Sequence, residues 1–319
     1  MIDVIIPAYN SLDTIEYTLS SIAYQSISSL LNVYIVNDCS DYDYQDIINF
    51  FSPFINIKEL KLDKNSGPAV ARQYGIDNSN SPYFVFIDSD DVFACCKSLE
   101  NLYNGFKVGD YDIVMSPFLE EISGNFIEHE PAYVWLHGKM FSRKFLNDNF
   151  ICFNTTRFNE DCGFNQLCYL CNAKYNELSD VTYIWKNIKN SITRSQDNYN
   201  QNNLDSYLFN MIWSLKESLN RDFNYFRVAI NAFITFVSAY HYYLQTNNNV
   251  IIKMLGDIVD YLDDFSLSDD TKFLIIKNQL MSDFYGSNTY CLYNPSITLE
   301  QFITIVREEV GKWLILLFV

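Results

Sequence analysis

Three carboxylates, Asp88, Asp90 and Asp91, fall within four positions directly after a five-residue apolar run, 83–87. Such a run of β-type residues reads as a strand buried on both faces of a sheet. Carboxylates crowded at its C-terminal end repel one another unless a cation lies among them. Open α/β sheets bind ligands at the carboxyl ends of their strands. A hard divalent ion with few protein oxygens keeps positions open for substrate phosphates. The pattern therefore points to a metal–diphosphate site.

The elements that would position these residues alternate. Strands are expected at 4–6, 33–36, 57–62 and 83–87, and helices at 11–28, 44–51 and 69–78. That order implies a mainly parallel sheet with helices on both faces, so all four strand ends share one rim. The first strand ends in Pro7-Ala8-Tyr9-Asn10, the second at Asp38 and the third in Asn65-Ser66-Gly67-Pro68 leading to Arg72. Further strands are expected at 113–115, 132–135 and 181–185, with a helix over 160–170. From about residue 204 apolar residues recur at helical spacing, over 207–219, 226–244, 250–262, 271–281 and 299–317. Two regions follow: 1–200, carrying the sheet, and 201–319, helical, for acceptor binding or oligomerisation.

Five segments in this order resemble glycosyltransferase family 2. They are 4–10, 36–40, 65–75, 88–91 and 159–161, with Asp161 after Glu160 in the last. The resemblance covers residues 1 to about 194. It implies a GT-A fold: a Rossmann-like, mainly parallel central sheet flanked by helices. It also implies an inverting, nucleotide-sugar-dependent transferase.

By that resemblance Pro7, Ala8, Tyr9, Asp38, Asn65, Gly67, Arg72, Asp88 and Ser89 contact the nucleotide. Tyr9 would offer a ring face to the base and Asp38 would accept from uracil N3. Arg72 would bring a planar donor to the diphosphate or base. Asp90, with Asp88, would hold Mn2+ or Mg2+, and the ion would neutralise charge growing on the leaving diphosphate. Asp91, Trp135, His137, Lys139 and Arg194 would line the donor-sugar and acceptor side. A sugar hydroxyl is a poor nucleophile until a base removes its proton. The resemblance gives that role to Asp161 with Glu160 in support, at a helix start that keeps carboxylates ionised. The structural alternatives are a turn or cap at Asp38, a solvated helix residue at Arg72 and a core tryptophan at Trp135.

Composition narrows the partners. The 319 residues carry a formal net charge of −17, with no dense basic run. A polyanion is repelled at long range, so nucleic acid is disfavoured. Phosphate-loop, dinucleotide and nucleophile-elbow motifs are absent. Cys162, Cys168 and Cys171 lack a fourth ligand and read as core thiols. The eight cysteines and an N-terminus that enters a strand at once make a cytoplasmic protein the expectation. The apolar end 313–319 suggests docking on the protein or on a sister subunit, with contact at the inner membrane face as a second reading.

The expected activity is transfer from a UDP-linked sugar to a hydroxyl of a surface polysaccharide, a teichoic-acid-like polymer or a related glycan. The alternatives are a non-catalytic nucleotide-sugar-binding scaffold, a nucleotidyltransferase, or a transferase acting on a protein or a nucleic-acid base.

Overall fold

The computed structural model describes residues 1–186, 199–246, 249–259, 298, 301 and 303–308. The chain divides into two compact units, Met1–Asn203 and Leu204–Val319.

The first unit opens with β1 (Ile2–Ala8), α1 (Leu12–Ala23), β2 (Leu31–Asn37), α2 (Gln45–Phe51), β3 (Asn56–Lys61), α3 (Pro68–Asp77) and β4 (Tyr83–Phe86). After these come β5 (Val92–Phe93), α4 (Ser98–Gly105), β6 (Ile113–Met115), β7 (Phe118–Ile122), β8 (Asn125–His129) and β9 (Lys139–Ser142). The unit continues through α5 (Arg143–Asp148), α6 (Glu160–Leu170), β10 (Tyr175–Glu177) and β11 (Tyr183–Trp185). Seven strands form one sheet in the order β10-β6-β9-β4-β1-β2-β3. The β4-β1-β2-β3 half is parallel throughout, and β9 runs antiparallel to both β4 and β6. The central strands are apolar on both faces and buried; Val4, Ile5, Ile6, Val33, Ile35 and Phe84 are fully enclosed. A second, four-stranded sheet has the order β5-β11-β7-β8.

Two expectations are corrected here. The strand expected at 132–135 is a loop, and the antiparallel strand lies later, at β9. Gly138, at φ +63, turns the chain into β9; a Cβ there would stand 2.9 Å from the Ser116 carbonyl oxygen. Helix α1 ends at Ala23 rather than running to 28. The Ser26 N–H is taken by the Cys96 carbonyl at 2.7 Å, which draws the chain away from the helix axis.

Helix α7 (Tyr199–Ser218) begins in the last residues of the first unit, ahead of the expected 207, and α8 (Tyr225–Thr246) and α9 (Val250–Val259) of the second unit are helical as the spacing predicts. Leu208, Ile212 and Leu215 are buried along α7, and Val228, Ala232, Phe236 and Ala239 along α8. The Tyr242 hydroxyl donates to the Asp205 carboxylate. Residues 303–308 are helical, whereas 271–281 and the apolar end 313–319 lie outside the described residues. Among the described residues no helix is long and apolar enough to cross a membrane.

Candidate active site

The parallel strands β1, β2 and β4 bring Tyr9, Asp38 and Asp88 to one rim, because their registers place Ala8 beside Asn37 and Ile5 beside Phe86. Tyr9 is 51% exposed there, with Pro7 and Ala8 behind it. Asp38 is buried, and both carboxylate oxygens accept backbone N–H groups: Oδ1 from Ser66 and Oδ2 from Gly67, each at 2.7 Å. Gly67 sits at φ +91 and precedes Pro68 at the first position of α3. Asp38 thereby fixes the loop that carries Asn65, whose buried Oδ1 has no hydrogen-bond partner.

Helix α3 projects Arg72 beneath the rim, where it is 6% exposed. Its Nη2 donates to Asp88 Oδ1 at 2.6 Å and its Nη1 to Glu160. Arg72 therefore joins the β4 carboxylate to the start of α6. Burial lowers the guanidinium's proton affinity, but Asp88 and Glu160 more than reverse this and keep it charged. Burial pushes Asp88 up, and Arg72 beside it holds the carboxyl below its ordinary range. At α6, Glu160 is pushed up to about 7 by burial, with Arg72 opposing and Asp161 adding. Asp161 is raised, by burial first, against the pull of Arg72. Its Oδ1 accepts the Cys162 N–H at 2.8 Å. An aromatic layer seats α6 on β4: Phe164 stacks on Phe153 at 4.1 Å and meets Phe86 edge-on at 6.2 Å.

Residues 88–91 form a turn closed by the Asp91 N–H to Asp88 C=O bond at 3.1 Å. Asp88, Ser89 and Asp90 are half-buried, while Asp91 is 1% exposed. Asp91 takes the Tyr183 hydroxyl on Oδ2 at 2.6 Å and the Lys186 N–H on Oδ1 at 2.8 Å. Its carbonyl accepts from Thr18 Oγ1 at 2.7 Å. Burial, then Asp90 and Asp88, push the Asp91 carboxyl well above its usual range.

His137 comes in from the 132–138 loop. Its ring stacks on Tyr183 at 4.8 Å and meets Phe118 edge-on at 4.9 Å. Burial lowers the imidazole to about 4, so it is neutral at pH 7, and Nδ1 is buried without a partner. Among the described residues, ligand atoms of Asp88, Asp91 and His137 lie within 4.8 Å of one another. A cavity of about 20 Å³ opens between Arg72, Asp88, Leu136, His137, Asp161 and Tyr183. That is room for one ion or one water. A larger cavity of about 530 Å³, bordered by Tyr83, Ser142 and Lys174, lies at the other rim, where β4 begins.

Two expected site residues have structural surroundings. Lys139 is 2% exposed on β9 and donates to Asn165 Oδ1 at 2.9 Å and to the Trp135 carbonyl. Burial lowers it to about 7. Trp135 packs edge-on to Phe118 at 5.4 Å. Arg194 lies outside the described residues. Cys162, Cys168 and Cys171 are buried along and just after α6. Tyr183, Thr18 and Asn165 carried no chemical signal in the sequence. The extended reading of 181–185 located Tyr183 without showing what its hydroxyl meets.

The pattern described as "Glycosyl transferase family 2" matches residues 3–162, half of the chain. The chain belongs to this family. It is a glycosyltransferase, with Asp88 to Asp91 and Glu160-Asp161 inside the matched stretch. The Minor teichoic acid biosynthesis protein GgaA of Bacillus subtilis (strain 168) is 24% identical, over 97% of this chain and 75% of its own length. The Poly(ribitol-phosphate) beta-N-acetylglucosaminyltransferase TarP of Staphylococcus aureus (strain N315) is 27% identical, over 57% of this chain and 61% of its own. The crystal structure of S. aureus TarS 1-349 in complex with UDP-GlcNAc superposes with a TM-score of 0.69 at 19% identity, covering 92% of this chain and 93% of that one. This family 2 chain thus has the GT-A arrangement its sequence resembles.

Proposed function

We propose that this glycosyltransferase moves a sugar from a UDP-linked donor to a hydroxyl of a teichoic-acid-like or related surface glycan, with inversion at the anomeric carbon. The observation that carries the reading is the small cavity on which Asp88, His137, Arg72 and Asp161 converge. The polymer class rests on the likeness to GgaA and TarP, and the uridine donor on the likeness to TarS with UDP-GlcNAc.

The residues present fit a divalent cation, Mn2+ or Mg2+. Asp88 supplies a hard oxygen held ionised by Arg72, and His137 a neutral imidazole with an unpartnered nitrogen. Asp91 is near enough to join them, but both of its oxygens already accept hydrogen bonds. We therefore assign the ion to Asp88 and His137, with Asp90 on the same turn as the further ligand the family resemblance implies, and to Asp91 the support of the turn. A cation bound there supplies positive charge to the leaving diphosphate.

The chain's own residues do the rest. Tyr9 stacks on the base at the exposed rim, Asn65 Oδ1 accepts from it, and Asp38 holds the loop that carries Asn65. Arg72 stays on Asp88 and Glu160 and holds donor and base sides at a fixed separation. Glu160 is occupied by Arg72, whereas Asp161 borders the cavity. Asp161 takes the proton of the acceptor hydroxyl as its oxygen attacks the anomeric carbon from the face opposite UDP. Its raised proton affinity makes it a stronger base than a solvated aspartate.

The test is a panel of UDP-, GDP-, CDP- and TDP-sugars incubated with the protein, Mn2+ and poly(ribitol-phosphate) or poly(glycerol-phosphate). Release of free UDP with sugar gained by the polymer is expected. Release from no donor, with UDP bound normally, would favour the scaffold reading.

A further inference from the structure

We propose that Tyr183 is a positioning residue for donor and cation, acting through the turn 88–91 and through His137. It rests on the cation reading above and deepens it. Two hydrogen bonds and one ring contact carry it. The Asp88 N–H donates to Tyr183 Oη at 3.3 Å, and that hydroxyl donates its own proton to Asp91 Oδ2 at 2.6 Å. One hydroxyl thus ties the first residue of the acidic turn to the last. Asp88 and Asp90 ride on the segment between those ties. The ring of the same residue lies against the His137 imidazole, 4.8 Å away and inclined by 24°. All three groups assigned to the cation are therefore held in relation to a single side chain.

The sheet register explains why the hydroxyl arrives there. Strand β11 pairs antiparallel with β5, placing Tyr183 opposite Phe93, two residues past Asp91. On its other side β11 pairs with β7, placing Tyr183 opposite Phe118, which also touches His137. The Ala94 N–H to Thr182 carbonyl bond, 3.0 Å, continues the ladder. Side chains alternate along a strand, so a one-residue slip would present Ile184 to the turn instead. Three residues on, Lys186 closes the other oxygen of Asp91 with its backbone N–H. The phenol is 1% exposed and borders the small cavity, and the bonds of its hydroxyl go to the turn. Tyr183 lies beyond the family-matched residues, 3–162.

Tyr183→Phe removes the hydroxyl and leaves the ring. Calorimetry with UDP, in Mn2+ and in EDTA, gives the gain in affinity that Mn2+ confers on the wild type and on the variant. That gain is expected to shrink about tenfold in Tyr183→Phe, while thermal melting shows a folded protein. The Mn2+ electron-paramagnetic resonance spectrum of the UDP complex is expected to broaden. Asp91→Asn weakens the same bond from its other end, and the double variant should lose no more than the larger single loss. Should Tyr183→Phe melt below the assay temperature, Asp91→Asn carries the test. A wild-type protein with no Mn2+ gain overturns the cation reading, and this inference with it. A wild-type gain that Tyr183→Phe preserves within twofold, whatever its melting temperature, overturns this inference alone.

Discussion

Arg72 serves two carboxylates at once, Asp88 on the donor side and Glu160 beside the base. Replacing it with Met would leave both facing low-dielectric surroundings unpaired. Breaking a buried pair from one side costs about 3–5 kcal/mol. The Asp88 side chain is 35% exposed, so we expect the lower end, about 3 kcal/mol, read as a reduced urea midpoint. Asp161→Asn should behave differently. It retains size and the Cys162 contact but cannot accept the proton, so kcat should fall by about 10²–10⁴ with UDP affinity unchanged within about twofold. Activity equal to wild type would remove Asp161 from the base role. The pH profile follows with a definite sign. Glu160 titrates near 7 and Asp161 is raised beside it, and the base works only when ionised. The rate should therefore fall as pH drops through the range in which Asp161 ionises, which lies above that of a solvated aspartate, and level off above it. The pair titrates jointly, so the midpoint belongs to both residues. A midpoint no higher than that of a solvated aspartate would contradict the assignment.

Among the elements, the loop 132–138 depends on how it is tied down. Asn165 on α6 donates to the Val134 carbonyl at 2.9 Å and accepts from Lys139. Gly138 then turns the chain against Ser116. Gly138→Ala should cost about 1–3 kcal/mol through positive-φ strain and backbone contact. It should also weaken Mn2+-dependent UDP binding by displacing His137, and calorimetry on the folded variant reads this. The same loop marks the limit of what a single sequence reveals. Strands β1, β2, β3 and β4 are four to seven residues long and announce themselves by apolar runs or alternation, and α6 was located over its full length. Strand β5 has two residues and β10 three, and neither spans enough chain to show a period, whereas β11 falls within the extended stretch expected at 181–185. The acidic residues, Arg72 and Tyr9 were legible as separate strand-end features. The binding of Asp38 to Ser66 and Gly67, the orphaned nitrogen of His137 and the Tyr183 hydroxyl on Asp91 were not. Each depends on segments distant in sequence coming together.

Over the whole molecule the dominant quantity is charge. A net −17 sets up a long-range field that opposes polyanions. If the acceptor is a phosphate-bearing polymer, screening should help it approach. The acceptor KM should fall several-fold as salt rises from about 10 mM to about 150 mM, over which the Debye length shrinks from about 30 Å to about 8 Å. Initial rates at saturating donor and Mn2+ measure this. A KM that rises with salt would indicate a local basic contact for the polymer instead. One further consequence concerns how such enzymes are recombined. The family-matched residues stop at 162, yet β11 begins at Tyr183 and pairs with β5 beside the acidic turn. A chimera spliced just after α6 would inherit its aspartates from one parent and their scaffold from another. Splice points beyond residue 186 would carry both from the same ancestor, so donor preference should travel intact only with the longer graft.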